Sequence, residues 1–218
     1  MIVRRAHERF HTLVDRIETF HSFSYGRHYD PDHIGFGDLM AINEERLAPG
    51  AGYDDHHHAD VDIVTWVLEG TLAHEDSTGR RGLVTPGVAQ RLSAGEGVTH
   101  AERNASVTAP LRFVQMMVRS TNWAAPEYAQ VEVPEGPGLH DTVPVHAAAR
   151  LLVARPATDT PVEITVESAL VHVTRGTVGA GDLTLDPGDE LRVTEPATLV
   201  LTGEEAEALV WLTGGPWG

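Results

Sequence analysis

Two short histidine-containing segments, about forty residues apart, place the strongest constraint on what this chain can fold into. The first holds His56 and His58, separated by His57, and the second holds His100 and Glu102. Alternate side chains of an extended strand point to the same face, so the outer two histidines of the first segment can approach one point while the middle one points away. The second segment repeats the same two-residue offset. The spacing predicts two β-strands that bring these side chains together.

Convergence of the four side chains inside a barrel would create a metal site of three imidazole nitrogens and one carboxylate, with positions left for a substrate or dioxygen. Neither pair is specific by itself, since 13 histidines in 218 residues make about one His-x-His pair expected by chance. The alternative for each histidine is a solvated or hydrogen-bonded side chain without a metal. His57 could also supply a stray ligand.

The surroundings of the two pairs are more informative than the pairs. Each pair follows a glycine-rich turn, and the first also precedes an apolar run, 63–68. The two patterns are Gly50-x5-His56-x-His58-x3-Asp62 and Gly97-x2-His100-x3-Asn104, and they resemble the two sequence motifs of the cupin barrels. Asp62 departs from the general motif, which has Glu at that position.

Further segments extend this resemblance to one family. Tyr29-Asp30-Pro31, Gly35-Phe36 and His74-Glu75-Asp76-Ser77, taken with the two motifs, resemble the pirin family. The similarity is dense over residues 20 to 120 and thin afterwards. Pirins are two-domain cupins with a metal in the N-terminal barrel, and some act as quercetin 2,3-dioxygenases. The resemblance implies an all-β fold with two cupin (jelly-roll-like) β-barrel domains in tandem.

The same resemblance implies a ligand set and a reaction. Carried over by position, the metal ligands are His56, His58, His100 and Glu102. Iron(II) suits oxygen chemistry at such a donor set, with Mn, Co, Ni, Cu or Zn as alternatives. The implied substrates are a flavonol, bound through its 3-hydroxyl and carbonyl oxygens, and dioxygen, which opens the ring with release of carbon monoxide. Glu102 would also act as the general base for the flavonol hydroxyl.

Three other functions are compatible with the sequence. Some pirins are described as transcriptional co-regulators, in which the redox state of the metal sets the surface offered to a protein partner. The acidic surface would suit a basic partner of this kind. A different cupin enzyme, such as a sugar isomerase or another ring-cleaving dioxygenase, is the second alternative, because fold does not fix function. A purely structural barrel without metal is the third.

Composition excludes several classes of protein. The absence of cysteine excludes disulfides, zinc–thiolate sites and cysteine nucleophiles. The net charge is −16, and all 16 basic residues are arginine without a groove-binding cluster, which argues against direct nucleic-acid binding. The sequence contains 21 Gly and 13 Pro, a balance that favours short strands joined by turns. Neither a signal peptide nor a membrane-spanning run is recognisable, so we expect a cytoplasmic protein without membrane contact.

The order of turns and strands predicts a domain division. We expect an N-terminal cupin domain with the metal site at 1–120, a connector at 121–142, and a cupin-like domain without the ligand set at 143–218. Residues 121–218, the connector and the last domain together, contain His140, His146 and His172, none within two residues of another histidine. Nothing in that segment predicts a second metal site.

Two shorter segments yield weaker predictions. Apolar residues between Phe10 and Ile17 recur at roughly helical spacing, which favours a loop with one helical turn or a short helix. Residues 36–43 are typical of a strand. Phe23 and Phe36 pack in a core or, alternatively, some of the aromatic side chains Phe23, Tyr25, Tyr29 and Phe36 line the mouth of a site for a flat substrate.

Overall fold

A computed structural model describes residues 1–214 of the chain and is almost entirely β-structure. Its single helical segment within this range is a three-residue 3-10 turn, Ala6–Glu8, and no helix there is long and apolar enough to cross a membrane. The strands are β1 Ile2–Arg4, β2 Phe10–Val14, β3 Ile17–His21, β4 Leu39–Leu47, β5 Gly52–His58, β6 Val61–Glu69, β7 Leu72–Asp76, β8 Arg81–Val84, β9 Val88–Ser93, β10 Val98–Asn104, β11 Leu111–Arg119, β12 Glu127–Glu132, β13 Gly138–Asp141, β14 Ala149–Arg155, β15 Val162–Val166, β16 Ser168–Arg175, β17 Val178–Ala180, β18 Leu183–Leu185, β19 Glu190–Val193, β20 Ala197–Thr202 and β21 Glu207–Thr213. The all-β prediction is confirmed.

The strands form two compact units. One unit contains Phe10–Glu132 and the short segment Val145–Ala147; the other contains Met1–Arg9, Val133–Pro144 and the described residues from Ala148 onward. Strand β1 pairs with β19, so the first residues of the chain belong with its C-terminal part. Strand β12, within the predicted connector, pairs with β9. The division at residues 120 and 143 stays a prediction.

The unit built around residues 10–132 consists of two antiparallel sheets. A seven-stranded sheet has the order β12-β9-β6-β11-β4-β3-β2, and a four-stranded sheet has the order β5-β10-β7-β8. Apolar side chains from both sheets share two buried clusters, so the core lies between the sheets. One cluster contains Leu47, Val67, Leu72, Val84, Leu111 and Phe113, and the other contains Ala41, Val61, Ile63, Leu92, Ala94, Val98 and Met117.

A buried row of polar side chains separates these two apolar clusters. The row crosses five neighbouring strands, and each strand contributes one residue that lies directly opposite the row residue of the next strand. Residues paired in this way have their side chains on the same face of the sheet. All five are buried: His21, Asn43, Gln115, Thr65 and Gln90. Burying so many polar groups is unfavourable unless they find partners, so this row requires partners among the side chains that face it or from a ligand.

The second unit is also built from two antiparallel sheets. Its sheets have the orders β1-β19-β16-β21-β14-β13 and β15-β20-β17-β18. One apolar cluster, rich in valine and leucine, fills the space between them. Within the described residues of this unit, no three side chains come close enough to hold a metal ion.

The prediction for residues 10–17 is wrong, because this segment is a β-hairpin. Strands β2 and β3 pair with Val14 opposite Ile17, and Asp15 takes a positive φ of 51° in the two-residue turn. Leu13 and Val14 are exposed on this edge strand rather than packed as the apolar face of a helix. Pairing with β4 through β3 overrides the helical spacing, which eight residues are too few to establish.

Candidate metal centre

Three neighbouring strands of the four-stranded sheet carry the candidate site. Strand β10 lies between β5 and β7, and His100 faces His56 across the first pairing. The register shifts between His100 and Glu102, whose partner on β5 is Tyr53. This bulge lets Tyr53 and His56 both face the interior although they are three residues apart. The two histidine-containing segments are therefore adjacent antiparallel strands.

The three predicted histidines converge. Ring centroids are 4.3 Å apart for His56 and His100, 4.9 Å for His56 and His58, and 5.1 Å for His58 and His100. One nitrogen from each ring lies within 4.8 Å of the other two. His57 points away and is exposed, as the alternation of a strand requires, and it belongs to neither candidate ligand group.

Glu102 belongs to a second, overlapping group. Its carboxylate lies within 4.8 Å of ligand atoms of His74 and His100, so His100 is common to both groups. His74 projects from β7, directly opposite Glu102 in the register. The sequence does not mark His74 as a ligand, because a lone histidine has no ligand spacing. The usable signal was its alternation with Asp76 inside a segment already known to resemble a pirin.

The buried polar atoms of these groups fit a metal ion. Five nitrogen and oxygen atoms have no hydrogen-bond partner among residues 1–214, although buried polar atoms normally have one. They are His58 Nε2, His74 Nδ1, both ring nitrogens of His100 and Glu102 Oε1. Imidazole nitrogens with a carboxylate oxygen are the donors that divalent first-row metals accept.

Neighbouring groups fix the orientation of two rings. His56 Nδ1 donates to the carbonyl oxygen of Asp54 at 2.8 Å, which leaves Nε2 as the basic nitrogen. His74 Nε2 donates to Asp76 Oδ2 at 3.1 Å, which leaves Nδ1 basic. A histidine whose second nitrogen donates to a carbonyl or carboxylate is typical of metal sites.

Burial and repulsion from neighbouring histidines hold His58 and His100 neutral. Burial, with the neighbouring His56 and His57, lowers the pKa of His58 to about 4. Burial, with His56, His58 and His74 nearby, lowers the pKa of His100 to about 2. Neutral imidazole is the form that binds a metal, so these rings need lose no proton at neutral pH.

Glu102 is perturbed in the opposite direction. Burial raises the pKa of its carboxyl to about 7, although the hydrogen bond from Gln115 Nε2 to Oε2, at 2.6 Å, opposes the shift. Gln115 belongs to the polar row of the seven-stranded sheet, so that sheet positions a carboxylate carried by the other one. The carboxyl is therefore near its titration point at neutral pH.

Comparison with known proteins identifies the family. The pirin family model matches residues 3–118. The chain belongs to the pirin family. Relatives in Mycobacterium bovis and Mycobacterium tuberculosis, named provisionally as quercetin 2,3-dioxygenases, are 36% identical to this pirin over 96% of the chain and 93% of their own length. An Escherichia coli protein named quercetin 2,3-dioxygenase is 39% identical over 59% of this chain and 56% of its own.

A solved structure extends the comparison to the whole fold. The E. coli pirin YhhW in complex with nickel(II) is 29% identical to this pirin and superposes with a TM-score of 0.90. The match covers 97% of this chain and 98% of YhhW. Both halves of the chain therefore have the pirin fold.

A cavity of about 570 Å³ opens beside the histidines of this pirin. His56 and His58 form part of its wall, and Gln115 and Tyr25 also line it. Among the aromatic residues considered for the mouth of a site, only Tyr25 borders this cavity, whereas Phe23 is buried in the core. Its volume is within the range of small-molecule sites, about 300–1,000 Å³.

Asp62, which departs from the general cupin motif, lies outside both ligand groups. Its buried carboxylate accepts the backbone N–H of His146 at 2.6 Å, and Nδ1 of the same residue lies 3.2 Å away. Asp62 thus ties the segment Val145–Ala147 to strand β6 of the same unit. Its role in this pirin is structural.

Replacing Asp62 with alanine is expected to lower the free energy of unfolding by about 2 kcal/mol, because the partly buried N–H of His146 loses a buried carboxylate acceptor. Asn at the same position keeps an acceptor and should cost less. Urea unfolding of both metal-free variants measures the difference, and metal titration should give wild-type affinity for each. Loss of metal binding in Asp62→Asn would contradict the structural role.

Proposed function

We propose that this pirin is a metal-dependent dioxygenase that opens the ring of a flavonol such as quercetin and releases carbon monoxide. The observation that carries the proposal is the convergence of His56, His58 and His100, the first two of which line a cavity large enough for a small aromatic molecule. Relatives named as quercetin 2,3-dioxygenases support the choice of reaction.

In this proposal His56, His58, His100 and Glu102 hold the metal, and His74 lies close enough to His100 and Glu102 to be an additional ligand. Iron(II) is the proposed metal, although YhhW was solved with nickel(II). When bound, the metal would act as a Lewis acid that lowers the pKa of the flavonol hydroxyl and would supply electrons for oxygen chemistry.

The protein side chains have separate tasks. Glu102 Oε1, which lacks a hydrogen bond, would accept the proton of the substrate hydroxyl, and a carboxyl with a pKa of about 7 is suited to this transfer at neutral pH. Gln115 holds the other carboxylate oxygen in place. Val14, Ile17 and Met117 give the cavity an apolar wall that would exclude water from a flat ring.

The test is anaerobic reconstitution with iron(II), measurement of metal content by mass spectrometry, and then dioxygen uptake and carbon monoxide release with quercetin. We expect one metal per chain and turnover in the wild type, and neither in the double variant His56→Ala with His58→Ala. Metal binding without turnover of any flavonol would contradict the enzymatic proposal and favour a redox-responsive interaction protein. Absence of metal in both proteins would contradict the whole site.

A further inference from the structure

A second polar cluster, formed by Glu45, Thr19 and Tyr53, lies on the wall of the same cavity. Thr19 Oγ1 and Tyr53 Oη each donate a hydrogen bond to Glu45 Oε2, both at 2.7 Å. All three side chains line the cavity that His56 and His58 also line. The cluster therefore offers a second polar contact to any molecule bound beside the histidines.

The burial of the Glu45 side chain is not explained by a contribution to the stability of the fold. Its side chain is buried, and no cation among residues 1–214 pairs with it. The preceding residue, Glu44, is equally buried on the opposite face of β4 but contacts Arg46 and Arg112 at 3.4 and 3.1 Å. A buried carboxylate without a cation is unfavourable, so its presence on a cavity wall points to a ligand.

The hydrogen bonds leave specific atoms for that ligand. Both donors point to Oε2 of Glu45, which leaves Oε1 available as an acceptor. The hydroxyl oxygens of Thr19 and Tyr53 have given their protons to Glu45, so they too can only accept. Three acceptors side by side match a hydroxyl group that donates a hydrogen bond.

The remaining walls restrict the rest of the ligand. Val14, Ile17 and Met117 are apolar, and the ring of Tyr25 stacks on His21 at a centroid distance of 5.3 Å. A flat aromatic ring fits such surfaces better than a charged or strongly hydrated molecule. The ligand class is thus an aromatic compound with a hydroxyl away from its metal-binding oxygens.

We propose that Glu45, assisted by Thr19 and Tyr53, binds a hydroxyl group of an aromatic substrate whose other oxygens lie at the candidate metal centre. The inference rests on the proposed function, since it places the substrate beside His56 and His58. It adds a specificity rule: the protein prefers polyhydroxylated flavonols over flavonols that carry only the chelating oxygens.

The test compares quercetin with 3-hydroxyflavone, which keeps the chelating oxygens and lacks every other hydroxyl. Each is titrated under anaerobic conditions into metal-loaded protein, so that binding is measured by absorbance without turnover. The readout is the change in the ratio of the two dissociation constants between wild type and variant, which cancels differences in how the two compounds chelate. Metal content, measured separately, verifies that the variants are loaded.

The variants are Glu45→Leu and Glu45→Gln, with Glu44→Gln as the matched control on the opposite face of the same strand. We expect the preference for quercetin to fall about tenfold in Glu45→Leu, the size of one hydrogen bond to a charged group, and less in Glu45→Gln. The control should keep the wild-type ratio. If Glu45→Leu does not fold, the test rests on Glu45→Gln, in which the preference for quercetin should fall by a smaller factor.

The outcomes separate this inference from the proposed reaction. An unchanged ratio in the Glu45 variants, with both flavonols bound, overturns the hydroxyl-binding cluster and leaves the dioxygenase proposal standing. Glu45-dependent binding of quercetin without dioxygen consumption supports the cluster and overturns the reaction. Failure of metal-loaded wild type to bind either flavonol overturns both.

Discussion

Replacing His100 with alanine is expected to abolish stoichiometric metal binding by this pirin. His100 is the one residue common to both candidate ligand groups, and both of its ring nitrogens are buried without a hydrogen-bond partner in the described chain. Even the loss of a residue that only hydrogen-bonds to a metal ligand lowers metal affinity by about 10–100-fold. Loss of the shared ligand should therefore exceed about 100-fold, whichever group binds the metal.

Competition with a chromophoric chelator measures this loss, and circular dichroism of the metal-free protein verifies that the variant is folded. His57→Ala is the matched control, because His57 lies on the same strand pair, opposite Thr99, but is exposed and outside both groups. It should retain wild-type affinity. Wild-type metal affinity in His100→Ala would show that the metal binds at neither candidate ligand group.

A third variant separates the two ligand groups. His74→Asn should leave affinity nearly unchanged if the metal is bound by His56, His58 and His100 alone. If His74 completes the site with Glu102, the loss should approach that of His100→Ala.

The convergence of His56, His58 and His100 was predictable because it depends on local rules. Strand alternation aligns two of them, and the glycine-rich turns before each pair place both strands in the same motif. His74 was not predictable in this way. Its position beside Glu102 depends on the register between β7 and β10, which no spacing within the segment specifies.

Long-range pairing also explains the other differences. Thr19 and Glu45 are 26 residues apart and meet only because β3 pairs with β4. The predicted strand at 36–43 ended before Glu45, whereas the structure continues β4 to Leu47. Strand β1 pairs with β19 near the far end of the chain, a contact that composition and turn signals cannot indicate.

The pH dependence of metal affinity should identify Glu102 as the group that titrates. Its carboxyl has a pKa raised to about 7 by burial, so at pH 6 the metal-free protein holds this proton. Metal binding requires the carboxylate and must release the proton, so affinity should rise about tenfold per pH unit between pH 5 and 7 and then level off. His58 and His100, with pKa values of about 4 and 2, are already neutral over this range and release none.

Calorimetric titration at pH 6 in two buffers of different ionisation enthalpy counts the released protons. We expect about one proton in the wild type and none in Glu102→Gln, whose affinity should be weaker but independent of pH between 5 and 7. A slope that persists in Glu102→Gln would assign the proton to another group, such as Glu45, whose pKa burial also raises to about 7, and would contradict the assignment to Glu102. The stability of the metal-free protein should change with pH in the opposite direction to the metal affinity. As pH rises through 7, Glu102 acquires a buried charge without a cation and the metal-free fold loses stability, so the stability gained on metal binding should increase with pH.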